Sequence, residues 1–137
     1  AQMELLNDVL IDFPDMKVVV EHLGYPWSEY LFVLMTNDKN LYTDLAMTYG
    51  RPMWTAWQLV LAREYGVLDR VMFATDYVCY NYDVFGPNPA EDIKNWIHLV
   101  EVGLNEINRR CGWPELTQSE IDSILFGCAS KLYGIKV

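Results

Sequence analysis

The chain has 137 residues, enough for one domain with a core of its own. Hydrophobic residues make up 52 % and charged residues 21 %, a balance ordinary for a soluble globular fold, while 14 % aromatic content calls for a large surface to pack against. The net charge of −9 and the lack of any Lys/Arg stripe exclude nucleic acid and an anionic membrane surface, both of which need clustered cations.

The three cysteines, Cys79, Cys111 and Cys128, are widely spaced, odd in number and form no CxxC pair. They therefore carry neither a zinc-ribbon nor a thioredoxin-type signal, and a reduced, cytoplasmic setting is expected. No apolar run approaches the ~20 residues that span a bilayer, and no signal peptide is visible. The first residue is Ala1 rather than Met, so a natural N-terminus is expected upstream.

Residues 1–13 read as a helix, with Met3, Leu5, Leu6, Val9, Leu10 and Phe13 at helical spacing. Pro14 ends it, because a proline disfavours helical geometry in the residue before it. Lys17–His22 is a short, nearly continuous apolar strand of the kind that parallel sheets cover on both faces. Gly24 and Pro26 then turn the chain into a helix over Trp27–Asn37. The rhythm repeats with a strand over Asn40–Ala46 and a helix from Pro52 to Tyr65, the proline suiting the first turn and Gly66 closing the last. A third strand, Arg70–Thr75, ends at Asp76, and a polar loop with Asn81, Gly86, Pro87 and Pro89 follows. A long helix spans about 90–110, and after Gly112-Trp113-Pro114 a last helix opens on a Thr117/Glu120 capping box and stops at Gly134. The order α-βα-βα-β-loop-α-α predicts an α/β fold with parallel strands. Three strands do not close a barrel, and a complete one takes ~250 residues. The fold class is therefore a partial (β/α)8 barrel: about the last three strands with their helices, one portion of a domain over residues 1–137.

Two polar residues stand where barrel enzymes keep their chemistry. His22 ends the first strand and, counting back in twos, shares a face with Val20 and Val18. Asp76 ends the third and shares a face with Ala74 and Met72. If those faces point inward, an imidazole and a carboxylate meet at the C-terminal mouth, on alternate strands and at similar height, as half of a metal site. Val18, Val20, Met72 and Ala74 would then line an inward face left open to water, between two unpaired sheet edges. Alone, a strand-terminal His is more often a hydrogen-bonded structural residue, and a strand-end Asp a cap for the following turn.

The wording around each residue adds to this. FPDMKVVVEHLGYPW (Phe13–Trp27), NLYTDL (Asn40–Leu45), DRVMFATDY (Asp69–Tyr77) and LTQSEIDSILFGCASKLYGI (Leu116–Ile135) resemble, in order and at matching separations, four blocks of the amidohydrolase-related family. The resemblance implies a TIM barrel of metal-dependent hydrolases and decarboxylases. It implies a divalent ion, Zn²⁺ or Mn²⁺, with Asp76 at the family's metal-ligand Asp position. His22 falls at the position of the sixth-strand His, which contacts the activated water or substrate or ligates a second metal. Both are thereby candidate catalytic and metal residues, His22 as proton shuttle because imidazole titrates near neutrality. The implied activity is hydrolysis of a small carboxylated or aromatic compound by metal-activated water. Non-oxidative decarboxylation is the alternative within the family, and a non-catalytic α/β fragment or binding module the alternative outside it.

The chain departs from the family pattern at Ala74, Val78 and Cys128, which replace Gly, Pro and Asn. It also has no His-x-His and no fifth-strand His, so the implied metal site is incomplete, and either self-association or a missing N-terminal barrel half is expected. Its other histidine, His98, falls mid-helix and reads as a surface or interhelical residue. Asp44 reads as structural before functional. Tyr25, Trp27, Tyr77 and Tyr80 follow strand ends and are packing or pocket residues; Trp54 and Trp57 are expected to pack on the strands. Cys79 has no evident His partner and is not read as a nucleophile.

Overall fold

A computed structural model describes residues 3–77 and 88–136. Helix α1 (Met3–Asp12) leads into strand β1 (Val18–Val20), a 3₁₀ turn at His22–Gly24 and helix α2 (Ser28–Asn37). Strand β2 (Leu41–Asp44), helix α3 (Pro52–Glu64), a 3₁₀ turn at Leu68–Arg70 and strand β3 (Val71–Met72) follow. Helix α4 (Pro89–His98) runs through a π-helical segment, Leu99–Gly103, into α5 (Leu104–Cys111); α6 (Gln118–Asp122) likewise passes through Ser123–Gly127 into α7 (Cys128–Tyr133). The two long helices expected near the C-terminus thus exist, each with a π segment inside it.

The sheet is parallel throughout in the order β1-β2-β3, with Val20 opposite Thr43 and Thr43 opposite Val71. All three strands therefore end on the same side. Each is shorter than its apolar run, because the chain turns early: His22 and Leu23 take φ values of 60° and 53° immediately after β1. Pro52 occupies the first turn of α3, the Thr117/Glu120 capping box is formed, and Gly66, Gly112 and Gly134 end their helices or turns at positive φ.

The main core lies between the sheet and α2, α3 and α5. Leu31, Leu34 and Met35 on α2 follow helical spacing and are buried with Phe32, and Ala56, Leu59 and Ala62 on α3 meet them. Complete burial of side chains such as Phe32 and Leu59 stabilises by roughly 1.5–3 kcal/mol each. Val18, Val20 and Phe73 pack against this helical core, while Val19, Tyr42 and Met72 form a second cluster with Cys128, Ala129 and Leu132 on the other face.

That division corrects the expected face. Val18 and Val20 point to the helices and do not share an open inward surface with Met72. Counting in twos from His22 fails because His22 has left extended geometry, so its side chain inherits no strand parity. Met72 is itself 4 % exposed beneath α7. Nor are both sheet edges wholly bare: the N–H of Phe73, just beyond β3, donates to the carbonyl of Ile124 in the π segment at 2.7 Å.

Candidate active site at the C-terminal ends of the strands

The segments that follow the three strands carry every non-glycine residue with positive φ among the described residues: His22 and Leu23 after β1, Met47 after β2, and Asp76 after β3. Such geometry is uncommon for residues with a Cβ and persists only where surrounding contacts enforce it. Here the contacts are visible. Oδ1 of Asp44 accepts from the backbone N–H of His22 at 2.9 Å and from that of Ala46 at 3.0 Å. Asp44, only 7 % exposed, is thus a structural carboxylate that ties the end of β1 to the end of β2. The Thr43 hydroxyl adds a second tie by donating to the Val20 carbonyl at 2.6 Å.

The imidazole of His22 is half-buried and fixed by the same loop. Its Nδ1 lies 3.0 Å from the carbonyl of Ala46. A carbonyl only accepts, so Nδ1 carries the proton, and neutral His22 presents Nε2 as a lone pair. The nearest charged group to Nε2 is the Glu21 carboxylate, at 3.6 Å.

Asp76 is exposed at the end of the third segment. Among the described residues no hydrogen bond or ion pair joins it to His22, and no group of three or more His, Cys, Asp or Glu side chains is placed to hold a metal ion. The third segment is anchored by Tyr49, whose hydroxyl donates to the carbonyl of Ala74 and whose ring stacks on Trp96 at 4.5 Å. Burial, and then the charge of Asp44, push the Tyr49 phenol well above its ordinary value, so it stays a donor. Nothing in its sequence context marks Tyr49; its role follows only from the loop's path.

The aromatics sort themselves by contact. Tyr25 and Trp27 are exposed, and Tyr25 meets Trp54 edge-on at 5.5 Å. Tyr77 donates to Asp92 at 3.1 Å and packs beside Trp96. Trp54 packs on the main core as expected, but Trp57 does not reach the strands: it is 38 % exposed and lies against Trp113 at 5.0 Å. The cause is helical spacing, which turns Trp57 away from the buried stripe of Ala56 and Leu59. His98 is exposed. Tyr80 and Cys79 lie outside the described residues.

A parallel sheet whose successive strands are joined by helices, with its irregular loops gathered at the C-terminal ends, is a segment of a (β/α) barrel. The amidohydrolase family model matches residues 1–135. The chain belongs to the amidohydrolase family. A solved structure of similar fold is an uncharacterized TIM-barrel protein, Bb4693, from Bordetella bronchiseptica, at 23 % identity and a TM-score of 0.60. The similarity covers 97 % of this chain and 39 % of that one, so the chain spans well under half the length of that barrel. Among curated proteins, none matches the chain. The amidohydrolase family is generally metal-dependent. No helix among the described residues is long and apolar enough to cross a membrane.

The residues at the strand ends fit such an ion in part. A metal-ligating His commonly donates its other ring N–H to a backbone carbonyl, which is the bond His22 makes to Ala46. The Asp76 carboxylate supplies an oxygen donor suited to the same divalent ions. Two donors fall short of the three protein ligands usual for catalytic zinc.

Proposed function

We propose that this chain forms the closing part of a metal-dependent amidohydrolase-like hydrolase acting on a small carboxylated or aromatic compound, in the cytoplasm. Asp76 is the metal ligand, and His22 is the proton-transferring residue or a further ligand. The remaining ligands come from barrel strands that these residues do not include. The observation that carries the reading is the state of His22: its Nδ1–H is committed to the Ala46 carbonyl, which leaves Nε2 as the chemically available nitrogen.

A divalent ion in such a site, Zn²⁺ or Mn²⁺, lowers the pKa of water or polarises a substrate oxygen. The chain's own residues do the rest. His22 takes a proton at Nε2 without giving up its Nδ1 bond, so the ring keeps its orientation through the transfer. Nε2 of the ring lies 3.6 Å from the exposed Glu21 carboxylate. Asp44 holds the His22 backbone and the Ala46 loop in register with each other, fixing both ends of the imidazole's support. Hydrolysis and decarboxylation would use these same residues; the groups that separate them belong to the other strands.

The shortage of grouped ligands among the described residues also favours a second reading, a non-catalytic α/β module. Calorimetric titration of Zn²⁺ and Mn²⁺ into the chain tests both. Weak binding, weakened further by Asp76→Asn, supports the active-site reading. Weak binding unaffected by Asp76→Asn leaves the non-catalytic module. A stoichiometric, tightly held ion bound through His22 and Asp76 alone would show that the ligand count is wrong.

A further inference from the structure

Arg51 is the only Lys or Arg in the segments that follow the three strands, residues 21–27, 45–51 and 73–88. Those segments also hold Glu21, Asp76 and Asp83, and Asp44 ends β2 just before the second of them, in a chain of net charge −9, so a cation stands out in this stretch of sequence. Of the other arginines, Arg63 pairs with Glu120, Arg109 with Glu115, and Arg70 with Asp69 and the carbonyls of Asp38 and Leu41, while Arg110 is exposed on α5, away from the strand ends in sequence. Arg51 is exposed and has no carboxylate within ion-pair distance among the described residues.

It is nonetheless held in place. Its N–H donates to the Thr48 carbonyl at 2.9 Å, and its own carbonyl accepts from the N–H and hydroxyl of Thr55 at 2.9 and 3.0 Å. The guanidinium carbon sits 4.9 Å from the centre of the Tyr25 ring, and that ring is braced edge-on by Trp54. Tyr25 in turn donates its backbone N–H to the carbonyl of His22 at 3.0 Å. One tyrosine therefore separates the fixed cation from the turn that carries the candidate catalytic imidazole. A guanidinium seated by its face on an aromatic ring still offers its N–H edge, and that edge matches a carboxylate with two parallel hydrogen bonds.

We infer that Arg51, seated on Tyr25, is the anion-recognition residue of this mouth and binds the carboxylate of the substrate. The inference rests on the active-site reading given above and deepens it. The structural competitor is a cation–π staple that only joins the two loops.

The two are separated by titrating benzoate and its uncharged counterpart benzamide into the metal-free chain while following arginine Nε–Hε resonances by NMR. Recognition predicts a saturable shift of the Arg51 signal with benzoate and none with benzamide. It also predicts at least tenfold weaker benzoate binding in Arg51→Gln, and an intermediate loss in Tyr25→Leu, which keeps the charge but removes its seat. The benzoate titration is run without metal and the metal titration without benzoate, so failure of the metal site and failure of this inference give different results. Equal shifts from benzoate and benzamide, no saturable shift, or unchanged benzoate binding in Arg51→Gln would each overturn it.

Discussion

The backbone N–H of His22 and the side chain of Asp44 meet at 2.9 Å, which joins the ends of two neighbouring parallel strands through a buried carboxylate. Because the same oxygen also accepts from Ala46, and Ala46 in turn accepts from the His22 imidazole, the three residues form a closed loop of hydrogen bonds around the turn. That loop of hydrogen bonds helps to hold the positive-φ backbone of His22, a residue type that adopts such geometry more readily than most.

Asp44→Ala should therefore destabilise far more than a typical loop substitution. It leaves two N–H groups without their acceptor, at about 1–3 kcal/mol for each one that water does not reach, so we expect a loss of about 2–4 kcal/mol. Asp44→Asn keeps an Oδ1 acceptor and should cost about 1 kcal/mol. Urea unfolding midpoints at constant m-value measure both. An Asp44→Ala variant within 0.5 kcal/mol of the parent would mean the turn is held by other contacts.

Much of this architecture is legible in the residues themselves, for reasons that are local. The β-branched run Val18–Val20, the Pro52 start of α3 and the Thr117/Glu120 capping box each state their conformation within a few positions. The positions of His22 and Asp76 beyond their strands follow from the same apolar runs. What is not legible depends on backbone that leaves its regular path. Strand parity assigns Val18 and Val20 to the wrong face because the turn at His22 breaks the count, and the π segments at Leu99–Gly103 and Ser123–Gly127 have no composition that announces them. Tyr49 and Arg51 lie in a loop whose residues show no period, so their contacts with Ala74 and Tyr25 emerge only in three dimensions.

The bidentate pair between Arg63 and Glu120 predicts a specific acid sensitivity. The guanidinium donates to both carboxylate oxygens, at 2.8 and 2.6 Å, and these bonds, with the capping N–H and hydroxyl of Thr117, hold the Glu120 carboxyl down at about 2. Its folded value is lowered, so its contribution to stability is present in full above the ordinary carboxylate value of 4.5 and is lost as pH falls from there toward 2. Glu120→Gln removes the charge of the pair while its amide oxygen can still complete the capping box, at a cost of about 1–2 kcal/mol near neutral pH. The difference in thermal stability between parent and variant should shrink through that acid window. A difference independent of pH would show that the charge contributes nothing there.

Cys111 and Cys128 should differ sharply toward alkylating agents. Cys111 is exposed, whereas Cys128 is 3 % exposed between Met72 and Leu132, and burial pushes its thiol up to about 11. Since the thiolate is the nucleophile, only about one Cys128 in a thousand is ionised at pH 8 even before access is considered. Iodoacetamide followed by peptide mass spectrometry should show Cys111 modified under native conditions and Cys128 only on unfolding. Comparable native labelling of both would show that α7 does not stay closed over β3.

Among the described residues β1 pairs only with β2, so its other edge presents unpaired N–H and C=O groups. Helix α1, which packs on the core through Leu6 and Leu10, leaves Leu5, Val9 and, just past its end, Phe13 exposed at 58 %, 39 % and 60 %. These three recur every fourth residue and form one stripe along the helix. An exposed apolar stripe and an unpaired strand edge are each the kind of surface that other barrel strands or a second copy would cover. At ~25 cal/mol per Å², a few hundred Å² of such contact supplies several kcal/mol, comparable with the ~5–15 kcal/mol net stability of a domain. We therefore expect the 137-residue chain on its own to self-associate, with a mass by light scattering that rises with concentration. Val9→Lys with Phe13→Lys should shift it toward monomer, because two like charges would face each other or enter an apolar contact. If the parent chain stays monomeric throughout and the double variant behaves the same, the β1 edge is protected without a partner and neither a second copy nor further strands need cover it.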